Sequence, residues 1–314
     1  MFTRIAIVGS GAIGGYYGAL LARTGAEVNF LLRRDLAHVR AHGLRIRQPP
    51  HGEFHLQPAR VFESTTEIGP VDLIVIGLKA TANATLPGLL SPLLRPGTAL
   101  LLLQNGLGGD ELLARQFGAE RVMGGLCFIC LNRTGPGEIT CSLPGYLVLG
   151  EFARPPTDRL RELAARFQVA GVKTAVAEDL AEARWRKLVW NVPFNGLAIA
   201  AGGVTTDVIM ADESLRSEAR ALMDEIVAAA ARLGYVVPEE FIREQLAHTA
   251  AMGPYRPSSL IDWQEGRAVE VEAIWGEPLR RAQAAGVAMP HLEKLHATLR
   301  RLTAGAPGRM STNS

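Results

Sequence analysis

Gly9-Ser10-Gly11-Ala12-Ile13-Gly14 spells the pattern GxGxxG. Gly9 permits a tight turn, Gly11 lets the backbone approach a pyrophosphate, and Gly14 allows a following helix to pack closely on a strand. The N–H groups at the start of that helix would meet the phosphate charge. About twenty residues further on, where an NAD site carries an acidic residue for the ribose hydroxyl, the chain has Arg33 and Arg34. Guanidinium groups only donate hydrogen bonds, so they suit a 2′-phosphate and cannot accept from a hydroxyl. These residues point to NADP(H). The alternative is a pair of solvated arginines ahead of a helix capped by Asp35. Two further positions follow apolar runs: Lys79 after DLIVIGL, and Asn105 after LLLLQ. In an open α/β sheet both would lie at the carboxyl ends of strands, where ligands bind. An Asn-Gly pair such as Asn105-Gly106 is also common in turns without chemistry.

A second constellation lies in AEARWRKLVWNVPFNGLAIAAGG. Lys187, Asn191 and Asn195 are spaced i, i+4, i+8, one face of a helix. Their neighbours Leu188, Val189, Val192, Phe194 and Leu197 are apolar all round, so the helix is expected to be buried and its polar groups to have partners. An ammonium on that stripe could transfer a proton; equally, the stripe could be a buried polar network that fixes helix packing. Pro193 removes one backbone donor and is expected to kink the helix.

The elements that must position these residues are legible from periodicity. RIAIV (4–8), a helical pattern from Ile13 to Arg23 and EVNFLL (27–32) form a βαβ unit around the glycine turn. Residues 72–78, 99–103 and 122–131 are near-continuous Val, Ile and Leu, as expected of strands covered on both faces. Residues 133–152, punctuated by Gly and Pro, read as antiparallel strands. Beyond them the pattern turns helical, over 178–202, 213–233, 239–251, 259–285 and 290–303. The expected division is an α/β domain over 1–177, an all-helical domain over 178–304 and a flexible tail over 305–314.

Composition bounds the partners. With 33 Lys and Arg against 31 Asp and Glu, the net charge is +2, which offers no broad surface for nucleic acid or anionic lipid. The apolar share of 48% supports a sizeable core. Three cysteines cannot form a disulfide framework, and Cys127 and Cys130 lack the clustered histidines of a metal site. His38 and His42, one helical turn apart, read as surface histidines for the same reason. The longest uncharged run, 188–206, contains Asn191, Pro193, Asn195 and glycines, which suits a buried helix and not a membrane span. A cytoplasmic protein is expected, with no metal and no membrane. Apolar helical surface serves a core or a homodimer equally well.

The ordered set GSGAIGG, GLKA around Lys79, LQNGLG around Asn105, WRKLVWNVPFN around Lys187, PSSLIDWQEGRAVEVEAIWG and AGVAMP resembles the ketopantoate reductase (2-dehydropantoate 2-reductase) family over residues 1–303. The resemblance implies a Rossmann-type dinucleotide-binding domain, a helical domain like that of 6-phosphogluconate dehydrogenase relatives, and a cleft between them. It implies NADPH-dependent reduction of a 2-oxo acid to a 2-hydroxy acid, on the route to pantothenate. The family's proton donor falls on Lys187, and its substrate-binding residues on Asn191, Asn195 and Ser258. Glu270 falls where the family meets substrate and ribose, Asn105 on the cleft asparagine, Arg33 on the 2′-phosphate ligand and Cys130 on a cofactor-adjacent backbone position. Tyr255 and the segment 202–206 depart from the family pattern near the substrate. They leave open a reductase of a different 2-oxo acid. A further alternative is a non-catalytic NADP(H)-binding protein.

Overall fold

The computed structural model describes residues 2–49 and 52–304; the expected tail, 305–314, lies outside them. The chain forms two units. The first takes the chain up to Gln104 together with Gly109–Ala181; the second takes Asn105–Gly108 and the chain from Glu182 onward. The division therefore falls a few residues beyond 177, and a four-residue piece of the expected α/β domain belongs with the helices.

The first unit opens with β1 (Arg4–Val8), α1 (Ala12–Ala22), β2 (Glu27–Leu31), α2 (Leu36–His42), β3 (Leu44–Arg47), β4 (Glu53–Leu56), β5 (Arg60–Phe62) and α3 (Thr65–Ile68). It continues with β6 (Leu73–Ile76), α4 (Leu86–Leu90), β7 (Ala99–Leu102), α5 (Gly109–Phe117), β8 (Val122–Gly135), β9 (Glu138–Glu151), α6 (Asp158–Val169) and β10 (Lys173–Val176). One sheet runs in the order β4-β3-β9-β8-β7-β6-β1-β2-β5, with β10 on β9. Strands β5, β2, β1, β6, β7 and β8 are parallel neighbours, the 3-2-1-4-5-6 order of dinucleotide-binding folds.

Alternation explains the unbroken apolar runs. Ile5, Ile7, Leu73 and Val75 enter a core shared with Tyr17, Leu20 and Phe167. Ala6, Val8, Ile74 and Ile76 enter another, with Leu86, Leu90 and Leu113. Successive side chains point to opposite faces and both faces are covered, so every position is apolar. The region 133–152, expected to hold antiparallel strands joined by turns, contains the end of β8, a turn at 136–137 and the long strand β9, which pairs antiparallel with β8.

The second unit is built on α7 (Leu180–Ala200), with α8 (Thr206–Ala211), α9 (Glu213–Arg232), α10 (Glu239–Ala251), α11 (Ser258–Gln264), α12 (Glu277–Ala284) and α13 (Pro290–Thr303). Helix α7 continues through Pro193 and ends at Gly202 and Gly203, whose φ angles of 90° and 98° suit glycine alone. The Gly203 N–H donates to Ala198 O at 3.0 Å, closing that end. Its residues Trp185, Leu188, Val189, Val192, Phe194, Ala198 and Ile199 are buried in one core with Leu222, Met223 and Ile226 of α9. The single helix expected over 259–285 is broken. Gly266 takes φ 74° after α11, and a π-helical turn at Glu272–Gly276 precedes α12.

Candidate functional site

On the first unit, the turn between β1 and α1 separates glycines required by packing from one that is not. Gly9 has φ 97°, and a Cβ there would sit 2.3 Å from Leu78 N. A Cβ on Gly14 would sit 2.2 Å from Gly9 O. Gly11 differs: its Cβ would meet no heavy atom within 4 Å. The fold does not demand glycine at 11, and the space before its backbone is open. Helix α1 has no side-chain cap and no acidic residue in its first turn, so nothing of its own occupies its positive end. Ser10 Oγ donates to Leu31 O at 3.0 Å, which ties the turn to the end of β2.

Just beyond β2, Arg33 and Arg34 are exposed. No ion pair joins either to a carboxylate of the described residues. Asp35 does not cap α2 with its side chain, contrary to the alternative drawn from sequence. Its buried carboxylate accepts from Gly137 N–H at 3.3 Å and pairs with Arg133 at 2.5 Å. The acid beside the two arginines is thereby neutralised. An open-backed glycine turn, an uncapped helix start and two guanidinium groups without a carboxylate partner among the described residues fit a dinucleotide carrying an extra phosphate. Lys79 follows β6 at the start of a 3₁₀ turn, Ala80–Thr85, next to the Gly77-Leu78 backbone on which Gly9 packs. Cys130 is half-buried in β8 where its register with β9 shifts.

On the second unit, Lys187 is half-buried and its Nζ donates to Asn105 Oδ1 at 2.9 Å. The two are joined across 82 positions of sequence. Asn105 is held by its own loop: Leu107 N–H donates to Ala273 O at 2.9 Å. Gly106 takes φ 80°, and a Cβ there would lie 2.2 Å from the same carbonyl. Its glycine is needed for this docking.

The rest of the α7 stripe divides. Asn191 lies one turn beyond Lys187 and is 8% exposed. Asn195 is buried, and its Oδ1 accepts from Ser259 N–H at 3.0 Å, fixing the start of α11. Ser258, the first residue of α11, is exposed. Glu270 is buried just ahead of the π turn, with its backbone oxygen accepting from Ile274 N–H at 3.1 Å. Tyr255 lies 6.1 Å by ring centroid from Trp190, which stacks on Phe194 at 5.2 Å. Sequence reasoning missed the π turn and Trp275, whose Nε1–H donates to Val192 O at 2.9 Å and fastens that turn to α7. The signals were there in Gly106, which admits a positive φ, and in Pro278, which lacks a backbone N–H.

Among the described residues no helix is long and apolar enough to cross a membrane, and no three metal-ligating side chains cluster.

Residues 5–154 match the family described as ketopantoate reductase PanE/ApbA, and residues 179–303 match its C-terminal counterpart. A 2-dehydropantoate 2-reductase of Nostoc sp. is 40% identical over 302 residues, covering 95% of this chain and 94% of that protein. The crystal structure of 2-dehydropantoate 2-reductase from Geobacter metallireducens superposes with a TM-score of 0.92 at 44% identity, covering 96% of this chain and all of that one. That from Methylococcus capsulatus gives 0.90 at 36% identity, covering 99% of this chain and all of that one. With both halves matched and relatives aligned along nearly its whole length, the chain belongs to the ketopantoate reductase family of oxidoreductases, with a Rossmann-type first domain and a helical second one.

Proposed function

We propose that this protein reduces 2-dehydropantoate to pantoate with NADPH, in pantothenate biosynthesis in the cytoplasm, with Lys187 as general acid. The observation that carries this reading is the Lys187–Asn105 hydrogen bond in a chain of this family. Residues 1–177 hold the cofactor in this reading and 178–304 the acid. Gly9, Ser10, Gly11, Ala12, Ile13 and Gly14 cradle the pyrophosphate, Arg33 takes the 2′-phosphate, and Lys79 and the Cys130 backbone lie along the cofactor. Bound NADPH supplies a hydride to the ketone carbon. Negative charge then grows on the ketone oxygen, where the Lys187 ammonium stabilises it and delivers the proton that completes the hydroxyl. Asn105 orients that ammonium with its amide oxygen. Asn191, Asn195, Ser258 and Glu270 bind or frame the acid, with the Ser258 hydroxyl donating to its carboxylate and Glu270 also reaching the ribose.

A second reading, reduction of another 2-oxo acid, draws on Tyr255 beside the stacked Trp190 and Phe194. Flat apolar rings favour a less hydroxylated substrate. Purified protein assayed for NADPH oxidation against a panel of 2-oxo acids decides. A kcat/KM optimum for ketopantoate supports the first reading, and a clear optimum for an aromatic or purely aliphatic acid replaces it with the second. Tight NADPH binding with no turnover on any acid would overturn both.

A further inference from the structure

We propose that Pro278 is a positioning residue for Asn105, and through it for Lys187, because the N–H it lacks leaves the Ala273 carbonyl to the Leu107 amide. The consequence for catalysis rests on the reading of Lys187 given above. In a regular α-helix Ala273 O would accept from the N–H of residue 277. In the π-helical turn Glu272–Gly276, the Glu277 N–H goes to Glu272 O instead. The next donor along the π pattern is residue 278, and proline has none. Ala273 O therefore has no donor in its own helix at either spacing. Leu107 N–H fills that place at 2.9 Å.

Proline in the first turn of a helix is common because its N–H would be unused there. Here α12 continues directly out of the π turn, so an N–H at 278 would face an acceptor. Pro278 is buried. Trp275, fully buried in the same turn, donates to Val192 O of α7 at 2.9 Å. The turn is thus fastened on one side to the helix that carries Lys187 and on the other to the loop that carries Asn105. Gly106 completes the fit, since any side chain there would strike Ala273 O. The π turn is the frame that sets the 2.9 Å distance between Lys187 Nζ and Asn105 Oδ1.

Pro278→Ala restores a donor that competes for Ala273 O. Amide hydrogen exchange at Leu107 should quicken about fivefold to tenfold, the worth of one hydrogen bond. The kcat for 2-oxo acid reduction should fall about threefold to tenfold with KM for NADPH unchanged, as misorientation without lost cofactor contacts predicts. The double variant with Asn105→Ala should be no slower than Asn105→Ala alone, because both act through one contact. Gly106→Ala, which pushes the loop off from the other side, serves as the second variant and should show the same loss of Leu107 protection. Wild-type exchange at Leu107 in both variants, or losses in kcat that multiply with Asn105→Ala, would overturn the proposal. The exchange measurement does not depend on turnover. If the wild-type protein reduces no 2-oxo acid, the functional reading fails, and Leu107 exchange still decides whether Pro278 docks the loop.

Discussion

An amide oxygen orients an ammonium without cancelling its charge, and that is what Asn105 does for Lys187. In the proposed reaction Lys187→Ala loses both the oxyanion partner and the proton. We expect kcat to fall by about two to four orders of magnitude, with KM for NADPH little changed, measured by steady-state NADPH oxidation. In the same proposal Arg33 is the corresponding residue for cofactor choice. Arg33→Ala should raise KM for NADPH about tenfold to a hundredfold while leaving any turnover with NADH untouched, since only the 2′-phosphate distinguishes them. An equal loss with both cofactors would place Arg33 elsewhere. At this scale the sequence made the side chains legible but not all of their partners. The i, i+4, i+8 stripe named Lys187, Asn191 and Asn195 together, yet Asn195 turns out to bond the Ser259 amide. Asp35, which looked like a helix cap, is engaged by Arg133 and Gly137.

Among the elements, the glycine turn has a folding role and a proposed binding role that experiment can separate. Gly11→Ala places a methyl in open space, so the variant should melt like the wild type and lose NADPH affinity about tenfold or more, by calorimetry. Gly14→Ala drives a methyl to 2.2 Å from Gly9 O and should cost about 1–3 kcal/mol of stability as overpacking, alongside the loss of binding. If Gly11→Ala bound NADPH normally, the open space would not be where the pyrophosphate lies. The long helices and core strands were readable because their hydrophobic period runs over many residues. Strands β3, β4, β5 and β10 were not, being three or four residues long with at most two buried positions each. The break within 259–285 also escaped periodicity, since its apolar positions persist on both sides of the π turn.

Across the whole molecule, two strongly held acidic groups set its response to acid, Glu151 within one stretch of chain and Asp72 between distant segments. Glu151, at the end of β9, is 1% exposed and is held by Arg154 at 2.9 Å and Arg159 at 2.7 Å, with Thr157 donating as well. Burial alone would raise its pKa; the bonds from Arg159, Thr157 and Arg154 overcome that and hold it below the usual carboxylate range. Asp72 joins β6 to β1 through the Arg4 and Thr3 amides and also pairs with Arg95. Burial again opposes, yet these bonds lower its pKa to about 2. Both folded-state values lie below the unfolded ones, so the unfolded chain binds more protons in acid. The stabilisation is complete above the ordinary carboxylate pKa and is lost as pH falls from about 4 toward 2. Urea midpoints should decline over that window. Glu151→Gln should flatten the decline and cost roughly 2–3 kcal/mol at neutral pH, by leaving two arginines facing each other without a countercharge. A midpoint independent of pH in the wild type would contradict this.

The sequence by itself determined the glycine turn between strand and helix, the positions of the two arginines, the polar stripe on an apolar helix and the order of α/β and helical parts. Each is a local pattern of spacing, and local spacing fixes which side chains share a face. Only the tertiary structure decided that Asn105 belongs with the helical unit, that its partner lies 82 positions away, and that the loop carrying it docks on a π turn through the Leu107 amide. Hydrogen bonds between segments far apart in the chain leave no period to read, because they depend on where the elements between them come to rest.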